Sequence, residues 1–315
     1  MTGWRQLLLS GVVVGCAAAR AQSGGAEPSK LVCEDLRTSS ARVLARSPDS
    51  LQVNNLLFEA AHKGCADSLE ALFKAGASTQ ARDRMGNSAL AIAARMGRLA
   101  FVKALLDADK PADSERLDRP NVQGATPLIQ AALADRGEIA RLLIAAGANV
   151  NAANKQGETA LSAAAFNANA GLAEFLLAHK AAPDTIDVTG KGVIVYAAAR
   201  GAARVVEMLL DAGVDPDRRY AADLTALMWA AGFPDKTPQD DALRTVELLL
   251  ERGAKVDLVD DRGRSALMIA ASLDHGAIAQ ALVAAGADRA LRDKSGKSAA
   301  DLAEDAEVKA IVAPP

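Results

Sequence analysis

Residues 124–132 read Gly-Ala-Thr-Pro-Leu-Ile-Gln-Ala-Ala, and residues 145–151 read Ala-Ala-Gly-Ala-Asn-Val-Asn. Thr126 can accept a backbone N–H bond at a helix N-terminus, and the proline after it suits the first helical turn. The two alanines allow neighbouring helices to approach closely, while residues 142–144 (Leu-Leu-Ile) form the apolar stripe of a second helix. Gly147 suits the end of that helix, where positive φ is common. The stretch therefore predicts a helix-turn-helix unit followed by a turn.

The same pattern recurs along most of the chain. The first apolar residue of each Ala-rich helix recurs at spacings of 33, 38, 33, 33, 33 and 40 residues. Insertions of five and seven residues, within residues 109–120 and 233–243, account for the two longer spacings. The recurring apolar residues are Leu57, Leu90, Leu128, Leu161, Ile194, Leu227 and Leu267. A glycine recurs with the same period at Gly86, Gly124, Gly157, Gly190, Gly263 and Gly296, and Asp223 replaces it in one repeat.

The repeat resembles the ankyrin family, whose period is 33 residues and whose signature includes T-P-L-H-x-A. The resemblance spans residues 54 to 308, although the signature's His is absent from every copy and only Pro127 retains its proline. It implies an all-α ankyrin repeat solenoid of stacked helix-turn-helix units with β-hairpin-like fingers, about seven repeats plus terminal caps. We expect a signal peptide (1–21), a flexible leader (22–30), an N-terminal cap (31–53), repeats (54–296) and a C-terminal cap with tail (297–315).

The N-terminus has the composition of an export signal. An apolar run over residues 7–19 follows Arg5, and it is shorter than the roughly 20 residues that span a bilayer. Ala19-Arg20-Ala21 predicts cleavage before Gln22. A buried N-terminal helix is one alternative. Another is lipidation of Cys16, because residues 13–16 (Val-Val-Gly-Cys) resemble a lipobox. We expect a periplasmic or secreted protein, or alternatively one that is lipid-anchored at the membrane.

The composition excludes several classes of protein. Apolar residues make up 50% of the chain, which is ample for a core and incompatible with wholesale disorder. Aromatic residues are 3% and the net charge is -3, so the chain offers neither a base-stacking platform nor a basic field for nucleic acid. No apolar run of membrane length follows the signal. The composition therefore argues against nucleic-acid binding and a membrane span. The family resemblance implies a protein partner, and we expect the protein to be a monomer.

No constellation of residues predicts catalysis, a metal site or a cofactor. His62, His179 and His275 lie in different repeats without metal-ligand spacing. Residues 190–192 (Gly-Lys-Gly) lack the spacing of a phosphate loop. The acidic pairs at 240–241 and 260–261 fall in an insertion and in a finger turn. We predict that the protein is not an enzyme and carries no cofactor or metal.

The family resemblance implies that partners bind the finger tips and the inner-helix faces. Large or charged side chains occupy those positions, and Arg, Tyr, Phe and Met are enriched in interface cores. For Phe166 the alternative is packing between repeats, and Trp229 is expected in the core. The two insertions are further candidates, with neutral surface loops as the alternative. The predicted binding residues are Arg84, Met85, Arg95, Met96, Gln123, Leu133, Lys155, Phe166, Asn167, Arg200, Tyr220, Phe233, Arg262 and Arg264.

Two cysteines, Cys33 and Cys65, remain if Cys16 leaves with the signal or is lipidated. An even pair in an exported protein predicts a disulfide, here between the cap helix and the first repeat. Two buried free thiols are the alternative. Taken together, the residues favour an exported (periplasmic) protein-interaction module that acts as a scaffold or inhibitor. The rival hypotheses are a host-directed ankyrin effector, a lipid-anchored binding protein and an enzyme with an unrecognised site.

Overall fold

The computed structural model describes residues 29–46, 48–108, 114–233 and 237–314. Within these ranges the regular structure is helical, with three isolated antiparallel bridges at the bases of fingers. The expected all-α repeat fold is therefore confirmed. The predicted signal peptide and Cys16 lie outside the described residues.

The helices come in pairs, one pair for each repeat. We call the first helix of a pair inner and the second outer. The helix α1 precedes the pairs, α6 lies in the first insertion, and two 3₁₀ turns occur at Ala66–Ser68 and Ala221–Asp223. The helices are α1 (Lys30–Leu44), α2 (Ser50–Lys63), α3 (Leu69–Lys74), α4 (Ala89–Met96), α5 (Leu99–Ala108), α6 (Ser114–Leu117), α7 (Pro127–Leu133), α8 (Gly137–Ala145), α9 (Ala160–Phe166), α10 (Ala170–Ala178), α11 (Val193–Ala199), α12 (Ala203–Asp211), α13 (Ala226–Ala231), α14 (Gln239–Glu251), α15 (Ala266–Ser272), α16 (Gly276–Ala284), α17 (Ala299–Leu302) and α18 (Ala306–Val312).

The described residues divide into two compact units. The N-terminal unit contains residues 29–163 and 179–181, and the C-terminal unit contains residues 164–178 and 182–314. In the N-terminal unit the inner helices α2, α4 and α7 pack in succession, and α5 packs on α8. In the C-terminal unit the inner row runs α11, α13, α15, α17, and the outer row runs α10, α12, α14, α16, α18.

The inner helices owe their starts and their close packing to the repeated motif. Thr126 accepts a hydrogen bond from the backbone N–H of Ile129, and Pro127 occupies the first turn, as predicted. Ala131 and Ala132 are fully buried, which lets neighbouring inner helices approach closely. Ser or Thr caps other inner helices in the same way, namely Ser88, Thr225, Ser265 and Ser298.

Six of the described fingers each turn around one Asp or Asn side chain. At Asp83, for example, Oδ1 accepts the backbone N–H groups of Met85 and Asn87, both at 2.8 Å. This arrangement satisfies two turn amides and fixes the direction of the finger tip. Equivalent hydrogen bonds form at Asn121, Asn154, Asp187, Asp260 and Asp293.

Backbone hydrogen bonds join neighbouring fingers within each unit. Val122 N donates to Met85 O at 3.0 Å, and Lys155 N donates to Gln123 O at 2.9 Å. The C-terminal unit has the same contacts, because Ala221 N donates to Gly190 O, Asp261 N to Ala222 O and Lys294 N to Arg262 O. These bonds hold adjacent tips in register although the family's usual His is missing.

A disulfide joins the cap helix to the first repeat. Cys33 in α1 is bonded to Cys65, in the turn after α2, with the two Cα atoms 5.3 Å apart. Leu36, on the same helix as Cys33, is almost fully buried. The cap is thus held by one covalent bond and by an apolar contact.

Candidate functional site: an interaction surface on fingers and inner helices

The fingers of the N-terminal unit present four of the predicted side chains to solvent. Arg84, Met85, Gln123 and Lys155 are all exposed, and Met85 keeps 50% of its surface accessible. The finger turns and the interfinger hydrogen bonds fix the backbone beneath them. These tips therefore form a surface whose binding would require little ordering of the backbone.

Sequence reasoning missed Val122, which lies on the same surface and is 49% exposed. Its backbone N–H bonds to Met85 O, so the two apolar side chains belong to adjacent, connected fingers. Val122 directly follows the turn residue Asn121, as Arg84 follows Asp83 and Lys155 follows Asn154. The register itself identifies this position, although Val is not among the residue types enriched in interface cores.

The ends of the inner helices supply a second row of side chains. Arg95 is exposed and Met96 is half-buried at the end of α4, where Gly97 adopts a positive φ of 76°. Leu133, at the end of α7, is also half-buried. All three lie in the N-terminal unit at the register positions that the family resemblance implied.

In the C-terminal unit the structure brings Phe166, Tyr196 and Arg200 together. The rings of Phe166 and Tyr196 meet edge to face with centroids 6.2 Å apart, and the Arg200 guanidinium lies 5.5 Å from the centre of the Phe166 ring. The Tyr196 hydroxyl donates a hydrogen bond to the carboxylate of Asp187. All three side chains, like Asn167 beside them, are half-buried. Phe166 thus packs between repeats, which was the alternative reading, and still reaches solvent.

Two predicted binding residues are buried, which corrects the expectation that they are exposed. Tyr220 is 6% exposed because its ring lies against Gly192. Phe233 is 9% exposed because it stacks on His275 with ring centroids 4.0 Å apart. Each ring thus packs against a residue of a neighbouring repeat instead of facing solvent. Trp229 is buried, as predicted.

Arg262 and Arg264 are engaged in ion pairs within the fingers. Arg262 Nη2 lies 2.7 Å from Asp260 Oδ2, and Arg264 Nε lies 3.4 Å from Asp293 Oδ2 in the next finger. Both side chains are only partly exposed. Because these carboxylates compensate both charges, the contacts give Arg262 and Arg264 a structural role. That either arginine binds a partner stays a prediction.

The described parts of the two insertions pack onto the repeats. Leu117 in α6 is fully buried and Arg116 is nearly so. In the second insertion Thr237 is buried and its hydroxyl lies 3.2 Å from Ala199 O. Residues 109–113 and 234–236 lie outside the described residues. The described contacts give these segments a packing role.

Among the described residues, no cluster of three or more His, Cys, Asp or Glu side chains could hold a metal ion. Lys191 is buried, with its ammonium group 5.4 Å from the centre of the Trp229 ring. Burial lowers the pKa of Lys191, and the charge of Asp187 opposes that shift. Within the residues that the structure describes, no helix combines the length and the apolarity needed to cross a membrane.

Known proteins resemble part of this chain. Ankyrin repeat domain-containing protein 63 of Mus musculus is 42% identical over 82 residues, which cover 26% of this chain and 20% of that protein. The Homo sapiens protein of the same name shows 42% identity over 82 residues, covering 26% of this chain and 21% of its own length. The matched segment thus spans about a fifth of each relative.

A family model described as "Ankyrin repeats (3 copies)" matches most of the chain. Its overlapping matches cover residues 56–154, 111–187, 128–220, 194–293 and 227–312. The phased motifs, the helix pairs and the fingers agree with these matches. The chain therefore belongs to the ankyrin repeat family.

Proposed function

We propose that this protein is an exported, periplasmic interaction module that acts as a scaffold or inhibitor of a protein partner. Ankyrin repeats indicate a protein–protein interaction module, and members of the family are typically non-enzymatic. We take the partner surface to be the finger tips and inner-helix ends, and the protein to act as a monomer.

The observation that carries the proposal is the cluster of Phe166, Tyr196 and Arg200. Arg and aromatic side chains dominate binding energy at interface centres. The stacking of Arg200 on Phe166 holds both side chains in place before a partner arrives. Less side-chain entropy is then lost on binding, which strengthens the complex. The cluster is half-buried, so a partner can complete its burial.

Export is supported by two independent features. Residues 1–21 have the pattern of a cleaved signal. The Cys33–Cys65 disulfide is a bond that persists in oxidising compartments such as the periplasm. Lipid anchoring through Cys16 is the alternative for an exported protein. A host-directed effector is the other alternative, and it would keep Met1.

Affinity capture with the mature protein tests the interaction. We expect Phe166→Ala with Arg200→Ala, or Arg95→Ala with Met96→Ala, to weaken capture of the principal partner by about 1–2 kcal/mol. Glu247→Ala with Gln280→Ala changes exposed outer-helix residues and serves as the control. Thermal melting checks that each variant folds. Capture that responds only to the outer-helix pair would contradict the surface assignment.

Intact mass and N-terminal sequencing of the exported protein test the compartment. A chain that starts at Gln22 supports soluble export. A diacylated Cys16 at the N-terminus rejects soluble export in favour of the lipid-anchored protein. Retained Met1 rejects both and favours the effector.

A further inference from the structure

Four cations on the fingers of the N-terminal unit lack carboxylate partners. Among the described residues, Arg82, Arg84, Arg119 and Lys155 form no ion pair; Arg119 instead donates to the side-chain carbonyl of Gln80. Burial lowers the pKa of Arg82 and the positive charge of Arg119 lowers it further, whereas Asp83 raises it. The unit thus holds like charges close together on its fingers.

The acids in the same fingers point their oxygens at amides. Asp83 accepts hydrogen bonds from two backbone amides and from the Asn87 side chain. Asp118 accepts the backbone N–H of Asn149, and Glu158 accepts the side-chain amide of Asn154. These acids hold the turns together instead of neutralising the neighbouring cations. The cationic ends of Arg84 and Lys155 are consequently left exposed.

The fingers of the C-terminal unit are organised differently. Several of their arginines pair with carboxylates, as in Arg218 with Asp184 and Arg262 with Asp260, whereas Arg219 donates to backbone carbonyls. Two further ion pairs, Arg264–Asp293 and Arg292–Asp301, follow the same pattern. The fold therefore readily accommodates compensated finger cations. The N-terminal unit differs because Arg82 and Arg119 bond to neutral oxygens and Arg84 and Lys155 are exposed, so none of these four cations is paired with a carboxylate of the described residues.

An apolar patch lies among these cations. Met85 and Val122 are about half exposed and lie on adjacent, hydrogen-bonded fingers. Arg84 precedes Met85 on one finger. Lys155 lies on the finger after that of Val122, and its backbone N–H donates to Gln123 O. We define the N-terminal finger surface as Arg82, Arg84, Met85, Arg119, Val122 and Lys155.

We propose that the N-terminal finger surface binds an acidic segment of a protein partner, with an apolar side chain of that segment seated on Met85 and Val122. The inference rests on the proposed interaction function and adds the chemistry of the partner. Charge complementarity selects acidic chains and accelerates their association. The apolar centre and the absence of an aromatic platform among these residues favour a peptide over a single-stranded nucleic acid.

Fluorescence anisotropy with defined peptides tests this proposal on the folded mature protein. The probe is a short fluorescein-labelled peptide of alternating Glu and Leu, and the matched controls replace every Glu with Gln or Lys. We expect saturable binding of the Glu peptide alone, weakening at least tenfold between low and high salt because added ions screen the charges. No saturation by the Glu peptide up to about 1 mM, or equal binding of the Gln peptide, overturns the proposal.

Substitutions locate the binding. Arg84→Glu should weaken it about tenfold, whereas Lys103→Glu on the outer helix α5 makes the same change in net charge and should leave it unchanged. Met85→Ser with Val122→Ser should weaken it several-fold, and Val188→Ser, at the register position of Val122 in the C-terminal unit, should not. Equal losses in a test variant and its control overturn the surface.

Two further outcomes also decide against the inference. If an oligothymidine strand binds more tightly than the Glu peptide and loses affinity with Arg84→Glu, the surface recognises nucleic acid instead. If the protein forms a dimer in sedimentation and excess Glu peptide dissociates that dimer, the acidic segment belongs to a second copy of the chain. Partner capture that depends on Phe166 and Arg200 would survive either result, so failure here is distinguishable from failure of the proposed function.

Discussion

The ring of Tyr220 occupies the space where residue 192 would carry a side chain. A Cβ added to Gly192 would overlap Cε1 of Tyr220 and lie 2.8 Å from its Cζ. Both residues depart from the repeat, because Tyr220 stands where six other fingers have Asp or Asn, and Gly192 stands where other inner helices have Ser or Thr. Gly192 has an ordinary φ of -89°, so space, not backbone conformation, requires glycine.

We predict that restoring the repeat pattern at one of these positions destabilises the protein. Gly192→Thr should cost about 1–3 kcal/mol through overlap with the ring, although Thr is the usual cap. Tyr220→Asn should cost about 2–4 kcal/mol because it leaves a cavity. The double variant should recover about 1–3 kcal/mol relative to the sum. Urea unfolding of the three variants measures this coupling, and strictly additive losses would contradict the contact.

The same tyrosine predicts a stability change at high pH. Burial raises the pKa of Tyr220 to about 12; the Arg218 charge lowers it by a smaller amount, and the Asp215 charge adds to the rise. The unfolded chain loses this proton near pH 10, so the stabilising difference is complete below pH 10 and is lost as pH rises through 12. Tyr220→Phe should remove about 1–2 kcal/mol of that dependence. Melting temperatures between pH 9 and 12 compare the two proteins, and parallel curves would exclude the effect.

The sequence predicted the repeated architecture because its period is a local property. Thr126 caps its helix and Pro127 opens it, since these roles depend on neighbouring backbone atoms alone. Trp229 is buried because it lies within the Ala-rich helix Ala226–Ala231, which is buried along its whole length. The Cys33–Cys65 pairing was predicted because these two cysteines remain if the chain is exported and Cys16 is removed or lipidated.

The sequence could not predict which finger side chains remain available to a partner. Arg84 directly follows the turn aspartate of its finger, whereas Arg262 lies two positions after Asp260. Only Arg262 forms an ion pair with the aspartate of its own turn. Tyr220 occupies a finger position that is polar elsewhere, and its burial depends on the missing side chain at Gly192, 28 positions earlier. Such outcomes depend on contacts between repeats, which periodicity does not encode.

Asp293 predicts an acid-dependent contribution to stability. Burial raises its pKa, but hydrogen bonds from Ser295 and Lys297 and the charge of Arg264 lower it by more, so the net shift is downward. Its stabilising effect is therefore present above the unfolded value near pH 4 and disappears as pH falls below it. Asp293→Asn keeps an amide oxygen for the turn, as Asn121 does in its own finger, and removes the ion pair with Arg264.

We expect Asp293→Asn to cost about 0.5–1 kcal/mol at pH 7 and less at pH 3, because the stabilising effect of the lowered carboxylate pKa shrinks as pH falls below the unfolded value. Chemical denaturation at the two pH values measures the difference. Asp288→Asn changes an exposed acid on the same connection and gives the background. A loss that is equal at both pH values would assign the effect to the turn instead of to the charge.

The disulfide predicts how the N-terminal end of the protein unfolds. Cys33 and Cys65 are separated by 32 positions, and closing a loop of this length stabilises the folded state by about 3–4 kcal/mol in the chain-entropy description. A terminal element has one neighbour and opens first, so the bond acts where cooperative support is weakest. Reduction, or Cys33→Ser with Cys65→Ser, should therefore raise hydrogen exchange in α1 and α2 far more than in α15 and α16. The double variant should no longer respond to reductant, which separates loss of the bond from other effects of the reagent. Equal exchange with and without reductant, or two alkylatable thiols in the unreduced native protein, would show that the cap is held by packing around Leu36 alone.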